Sequence, residues 1–212
     1  MCLRNLLHIV WPVSCPVCGR LAVKVCPECL GSLASEQSKF CVACRRDFPC
    51  ASHPDGLACS SVSRYRGANS DVIKSMKYAS RKAIAVMMGE IIAGCIMRPD
   101  ADILVPIPLH KGSEREYNQT ELIARGASVV WGIPVKNCLR WRIYSPNQAS
   151  SSDHQERVLP LDAMEAVCDV RSLRVLLVDD VCTTGNTLMA AAVAVTRAGA
   201  SVGEAVTWSR SI

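Results

Sequence analysis

Apolar positions in this chain gather into a few runs, and the spacing within each run predicts its element. Val175 to Val178 is unbroken and ends in two adjacent carboxylates, Asp179 and Asp180. An apolar run without polar alternation suits a parallel strand buried on both faces. Thr183, Thr184 and Gly185 interrupt the pattern, and Leu188 to Ala198 follows as an acid-free apolar stretch that reads as a helix. Ile103 to Pro108 reads as the first core strand, ended by prolines. His110 to Gln119 then predicts a loop, Thr120 to Val130 a helix, and Ile133 to Cys138 a short second strand. Arg140 to Arg157 is polar, basic and serine-rich and reads as a loop, while Ala200 to Thr207 makes a last strand after the Gly199 turn. Upstream, Val72, Ile73, Met76, Met87, Ile91 and Ile92 predict one helix, from a cap at Asn69 or Ser70 to about Met97. Strands that alternate with helices predict an α/β domain, its sheet mainly parallel with helices on both faces.

Composition adds a second part to that picture. The chain has 212 residues, half of them hydrophobic, enough for one α/β domain plus a small appendage. Ile84 to Met97 is broken by Gly89, Glu90 and Gly94, and no run reaches the roughly 20 residues that span a bilayer. Met1 to Val13 holds a short apolar segment without a small-residue cleavage site, so a cytoplasmic chain is expected. Of the 13 cysteines, nine lie in the first 59 residues. Clustered cysteines in such a chain argue for metal; the scattered ones (Cys95, Cys138, Cys168, Cys182) read as small buried side chains.

Cys15, Cys18, Cys26 and Cys29 form two CxxC knuckles separated by seven residues, enough to reverse the chain and bring four thiolates around one Zn²⁺. A segment this poor in apolar residues needs metal binding as its folding energy. A second site would draw on Cys41, Cys44, Cys50 and Cys59, with His53 competing for a place. These cysteines define an amino-terminal zinc-ribbon module, residues 1–63, ahead of an α/β domain at 64–212.

The formal charge of +5 fits phosphate-bearing substrates and nucleic acid alike. Arg64, Arg66, Lys74, Lys77, Arg81 and Lys82 face one acid, Asp71, and form either a solvated helix face or a basic rim for an anionic substrate or single-stranded DNA.

The chemistry concentrates at Asp179 to Thr187. Acids at the carboxyl end of a parallel strand stand where open α/β sheets bind ligands. Thr183, Thr184 and Gly185 would turn into a helix whose first amides lack intrahelical partners, and amides, hydroxyls and dipole together make an anion site. Two carboxylates for a vicinal diol, next to a phosphate loop, suit a ribose 5-phosphate unit.

The run Val178-Asp179-Asp180-Val181-Cys182-Thr183-Thr184-Gly185 resembles the phosphoribosyl-pyrophosphate (PRPP) signature of type I phosphoribosyltransferases. Together with the cysteine knuckles, Lys77-Tyr78, Val105 to His110, Asn118-Gln119 and Gln148, it resembles the ComF family, competence-associated proteins with an amino-terminal zinc ribbon. The resemblance implies a type I phosphoribosyltransferase core that binds PRPP with Mg²⁺. It places the ribose hydroxyls on Asp179 and Asp180, the 5-phosphate on Val181, Cys182, Thr183, Thr184, Gly185, Asn186 and Thr187, and further PRPP contacts on Pro106 and Lys77. Arg115 would stabilise the departing pyrophosphate. It also implies a role in DNA uptake, with single-stranded DNA or a competence-machinery protein as partner. Where the family usually has several arginines before the first core helix, this chain keeps Arg115, with Glu116 in place of the usual glycine and Pro160 in place of an asparagine, so the pyrophosphate loop carries fewer cations.

Overall fold

A computed structural model describes residues 15, 17–20, 25–76, 82–110, 113, 115–142 and 159–211. In chain order these form α1 (Pro27–Leu33), β1 (Ser38–Cys41), β2 (Ala58–Arg64), α2 (Ala68–Met76), α3 (Lys82–Cys95) and β3 (Ile103–Pro106). There follow α4 (Gln119–Trp131), β4 (Leu139–Trp141), β5 (Met164–Ala166), β6 (Arg174–Cys182), α5 (Asn186–Arg197) and β7 (Ser201–Arg210). Five strands form one sheet in the order β1-β2-β7-β6-β3, parallel throughout except for β1, which runs antiparallel to β2. β4 and β5 pair as a separate antiparallel ribbon.

The two-residue alternation of a strand explains why the runs carry no polar residue. Leu104, Leu176, Val178, Val206 and Trp208 point to one face, under α2, α3 and α4. Ile103, Val105, Val175, Leu177 and Ala205 point to the other, under α5 and the ribbon. Both faces are covered, so both sets must be apolar. The expected mainly parallel sheet with helices on each side is what the chain forms.

α3 and α4 cross at two glycines. A Cβ on Gly89 would stand 1.9 Å from the Ile123 carbonyl oxygen, and one on Gly126 would stand 2.0 Å from that of Val86. Neither position tolerates a side chain without moving a helix. Asn118 caps α4 by accepting from the Thr120 amide, and Gly132, with φ of 68°, ends it.

Several expectations change. The single helix from Asn69 to Met97 is two helices, α2 and α3, and residues 77–81 between them lie outside the described residues. Asn69 is no cap: it sits buried in α2, where Nδ2 donates to the Leu33 carbonyl and Oδ1 accepts from Trp208 Nε1. Ile133 to Cys138 contributes only a bridge, Val135 beside Leu104, because Pro134 has no amide with which to extend a ladder. Arg140 and Trp141, expected within a loop, belong to β4 (Leu139–Trp141); residues 143–158 beyond it, with Gln148 and Arg157, lie outside the described residues. Cys138 and Cys168, expected as separate buried thiols, form a disulfide, since the β4–β5 pairing brings residues 30 apart in sequence together. β1 and β2, from the cysteine-rich part, are hydrogen-bonded into the sheet, so the 63/64 division passes through β2. Among the described residues no helix is long and apolar enough to cross a membrane.

Gly89→Ala should lower the unfolding free energy by about 2 kcal/mol or more, from overpacking against a backbone that cannot give way. Urea denaturation measures it; a change below about 0.5 kcal/mol would mean that α3 and α4 do not meet at these glycines.

Candidate functional site

The acids stand at a step in the sheet. β3 pairs with β6 only as far as Pro106 beside Val178, and the Ile107 amide adds one last bond to the Val178 carbonyl. A parallel ladder would continue with the Asp180 amide donating to the Ile107 carbonyl. Instead that carbonyl accepts from Asn118 Nδ2 at 2.9 Å and Thr120 Oγ1 at 2.6 Å, while the Asp180 amide donates to Asp179 Oδ1 at 2.8 Å. β6 meanwhile continues beside β7 to Cys182. The strand therefore runs through both carboxylates rather than ending before them, and one edge of it opens into a cleft.

That cleft is a cavity of about 260 Å³ walled by Asp179, Asp180, Arg115, Gln119, His110 and Trp141, with Val181 and Thr187 at its rim. Asp179 and Asp180 are only 8% and 7% exposed. Gln119, the first residue of α4, donates from Nε2 to Asp180 Oδ2 at 3.3 Å. Its Oε1 is buried and has no hydrogen-bond partner among the described residues. A buried acceptor without a partner carries a desolvation cost. Gln119 appeared in the sequence only as part of a motif; nothing in its spacing marked it as a partner of Asp180.

Trp141 was missed altogether. It comes from the ribbon, where Nε1 donates to the Pro108 carbonyl at 2.9 Å and the indole stacks on His110 with ring centroids 3.8 Å apart. A lone tryptophan between Arg140 and Arg142 was its only signal. Burial first, and the positive charge of Arg115 second, hold His110 below its ordinary 6.5. The imidazole is therefore neutral at pH 7. Pro106 lies in the sheet behind the cavity rather than on its wall, and Lys77 lies outside the described residues.

Gly185, with φ of 83°, forms the turn between β6 and α5. A Cβ there would meet Val42 Cγ1 and the Val42 carbonyl oxygen, both at 2.7 Å. Thr183 and Thr184 are exposed at the tip, and Thr184 Oγ1 accepts from the Asn186 amide at 3.4 Å. Cys182 is buried beside Cys59, which lowers its thiol pKa; Arg45 and Arg210 act in the same direction, against burial.

A larger cavity of about 750 Å³ lies at the opposite, amino ends of β3, β6 and β7. Its charges pair among themselves: Arg174 with Asp100 and Asp102, Lys39 with Glu204. Hydrogen bonds from Arg174 hold the Asp102 carboxyl down at about 2. Size alone does not make this the site, because ligands of open α/β sheets bind outside the carboxyl ends of the strands.

The cysteines gather into two clusters. Ligand atoms of Cys15, Cys18, Cys26 and Cys29 lie within 4.8 Å of one another, with Cys26 Sγ at 3.3 to 3.6 Å from each of the other three sulfurs. Four sulfurs on one Zn²⁺ at about 2.3 Å converge in this way. Their crowding pushes the Cys29 thiol up to about 12, through Cys26 first and Cys18 next, a conflict that a divalent cation relieves. The second cluster is Cys41, Cys44, Cys50 and His53, again within 4.8 Å. The place expected for Cys59 is taken by His53, whose Nδ1 stands 3.7 Å from Cys50 Sγ. Cys59 lies in β2, where strand alternation turns its sulfur toward Thr207 in the core.

The basic rim is partly spent on local partners. Arg64 and Arg66 both bind Glu36, at 2.7 and 2.8 Å, and Lys82 sits 5.3 Å over the Tyr117 ring. Arg81 lies outside the described residues.

Two measurements check this site. Zinc-loaded protein should lose one metal equivalent on His53→Ala and none on Cys59→Ser, read by elemental analysis; the reverse pattern would restore Cys59 as a ligand. An NMR titration should give His110 a midpoint below 6.5, and Arg115→Ala should raise it without restoring the ordinary value, because burial is the larger cause. A midpoint at or above 6.5 would mean that the imidazole is not held in the cleft.

Residues 136–212 match the family model of the phosphoribosyl transferase domain. The DNA utilization protein YhgH of Salmonella typhimurium is 26% identical over 217 residues, covering 95% of this chain and 91% of that protein. The Salmonella typhi protein of the same name matches at the same identity and coverage. Among solved structures, the allosteric regulatory enzyme of purine biosynthesis aligns with a TM-score of 0.43 at 20% identity, over 59% of this chain. The aligned part spans 26% of that enzyme's chain, about a quarter of its length. The matched residues include β6, its two carboxylates and the turn at Gly185, so this part of the chain is similar to the phosphoribosyl transferase domain and the chain as a whole is similar to YhgH.

Proposed function

We propose that the cleft binds PRPP and that the chain either transfers or senses its phosphoribosyl group. One observation carries this: Asp179, Asp180 and Gln119 line one cavity together with Val181 and Thr187, which flank the Gly185 turn. The carboxylates and Gln119 Oε1 accept hydrogen bonds from the ribose hydroxyls. The first amides of α5, with the Thr183 and Thr184 hydroxyls, hold the 5-phosphate, and the helix dipole favours its charge. Mg²⁺ carried with the pyrophosphate suits the acid-rich wall and supplies charge neutralisation there.

In the transferase reading, the bond from C1 to the pyrophosphate oxygen breaks, and pyrophosphate leaves with the electron pair. A nitrogen nucleophile forms the new bond at C1 with inversion. Arg115 and the main-chain amides near Ile107 to His110 stabilise the leaving charge, and neutral His110 can take the proton the nucleophile sheds. Both cysteine clusters hold Zn²⁺ as structure. The division into a zinc module at 1–63 and a phosphoribosyltransferase-like domain at 64–212 is kept as a working assignment.

A second reading, a PRPP or nucleotide sensor that handles single-stranded DNA, draws on the name of the YhgH relatives and on the few cations of the pyrophosphate loop. Isothermal titration separates the two. Mg²⁺-PRPP, ribose 5-phosphate and pyrophosphate should each bind the zinc-loaded protein, and Asp179→Asn with Asp180→Asn should weaken ribose 5-phosphate binding by about tenfold or more. Ribose 5-phosphate binding without pyrophosphate binding selects the sensor. Unchanged affinity in the double variant removes the site assignment.

A further inference from the structure

We propose that Arg45 and Arg210 form a second phosphate-binding subsite on the side of the Gly185 loop that carries the second cysteine cluster. A cavity of about 270 Å³ there is lined by Phe40, Arg45, Arg210 and Ser211, two arginines and, among the described residues, no acid. Arg210 ends β7 directly opposite Cys182 of β6, and the Ser211 amide donates to the Cys182 carbonyl at 2.9 Å. The cavity thus adjoins the start of the loop assigned to the 5-phosphate, yet shares no lining residue with the PRPP cleft.

Arg210 is held as a ligand-binding arginine is held. Its guanidinium lies 5.1 Å over the Phe40 ring, which fixes the plane of the fork. Its side chain is 15% exposed, and its Nε is buried without a hydrogen-bond partner among the described residues. The one carboxylate near it, Asp47, stands 3.9 Å away and is itself 92% exposed, too far and too wet to satisfy a buried donor.

Arg45 is presented by the metal knuckle. Its backbone takes a left-handed φ of 63°, and its amide donates to the Cys41 carbonyl at 2.7 Å, so the turn between Cys41 and Cys44 sets where it stands. Elsewhere on the sheet, arginines and lysines at strand ends meet carboxylates at close range, as Arg174 and Lys39 do. Two planar forks facing one cavity without an acid match the oxygens of a phosphate group. The ligand class is therefore a phosphate monoester or diester, bound next to the sugar-phosphate site rather than in it.

The test is equilibrium dialysis of radiolabelled inorganic phosphate against the zinc-loaded full chain without PRPP, whose own phosphate monoester would compete for the subsite. Phosphate should bind the wild type at a site beyond the cleft, and that binding is the one read. It should weaken by about tenfold or more in Arg210→Met, which keeps the stem on Phe40, and by about threefold or more in Arg45→Gln. Zinc content and PRPP affinity should stay as they were. Absence of that second binding event in the wild type, or equal binding in wild type and both variants, overturns the proposal. If Arg210→Met loses zinc or its cooperative melt, the exposed Arg45→Gln decides. Failure of PRPP itself to bind would count against the proposed function, and the dependence on Arg45 and Arg210 would still be read.

Discussion

A single backbone carbonyl, that of Ile107, decides where this molecule has a site. If it accepted the Asp180 amide, β3 and β6 would stay paired and the carboxylates would sit inside a closed ladder. Asn118 and Thr120, from the start of α4, occupy it instead, and the Asp180 amide turns back to Asp179 Oδ1. The separation of β3 from β6 thus leaves none of these strong hydrogen-bonding groups unpaired. The same residues that open the cleft also begin the helix that delivers Gln119 to Asp180.

The cysteine-rich segment takes part in this architecture rather than hanging beside it. β1 and β2 extend the sheet, and Val42, between two residues of the second cluster, packs directly on Gly185. Only a residue without Cβ fits between Val42 and the start of α5, and φ of 83° asks for the same residue. Metal bound by Cys41, Cys44, Cys50 and His53 would therefore stiffen the surface that backs the Gly185 turn, since the ordering of that cluster and of the turn share one contact.

The charges sort by position in the sheet. At the amino ends of the strands, guanidinium and ammonium groups meet carboxylates on the surface, where such pairs contribute little. At the carboxyl ends, two acids share a cleft with an open amide oxygen, and two arginines share a cavity without an acid. Both of these cavities lie at the carboxyl ends of the strands, where open α/β sheets bind ligands.

Much of this was legible in the sequence because it is local. The Val175 to Thr187 run is covalently continuous, so strand, acids and glycine turn could be read in order, and the spacing of Cys15, Cys18, Cys26 and Cys29 alone limits how their sulfurs meet. The apolar runs likewise reported a sheet covered on both faces. What escaped depends on which face of a distant element meets which. His53 replaces Cys59 because β2 turns Cys59 inward. Cys138 reaches Cys168 because the ribbon folds back on itself. Trp141 reaches His110, and Val42 reaches Gly185, across the sheet's edge. Periodicity and spacing encode the chain's preference for helix, strand or knuckle, whereas contacts between remote residues are fixed only when those elements pack, and it is packing that turned a motif into a cleft.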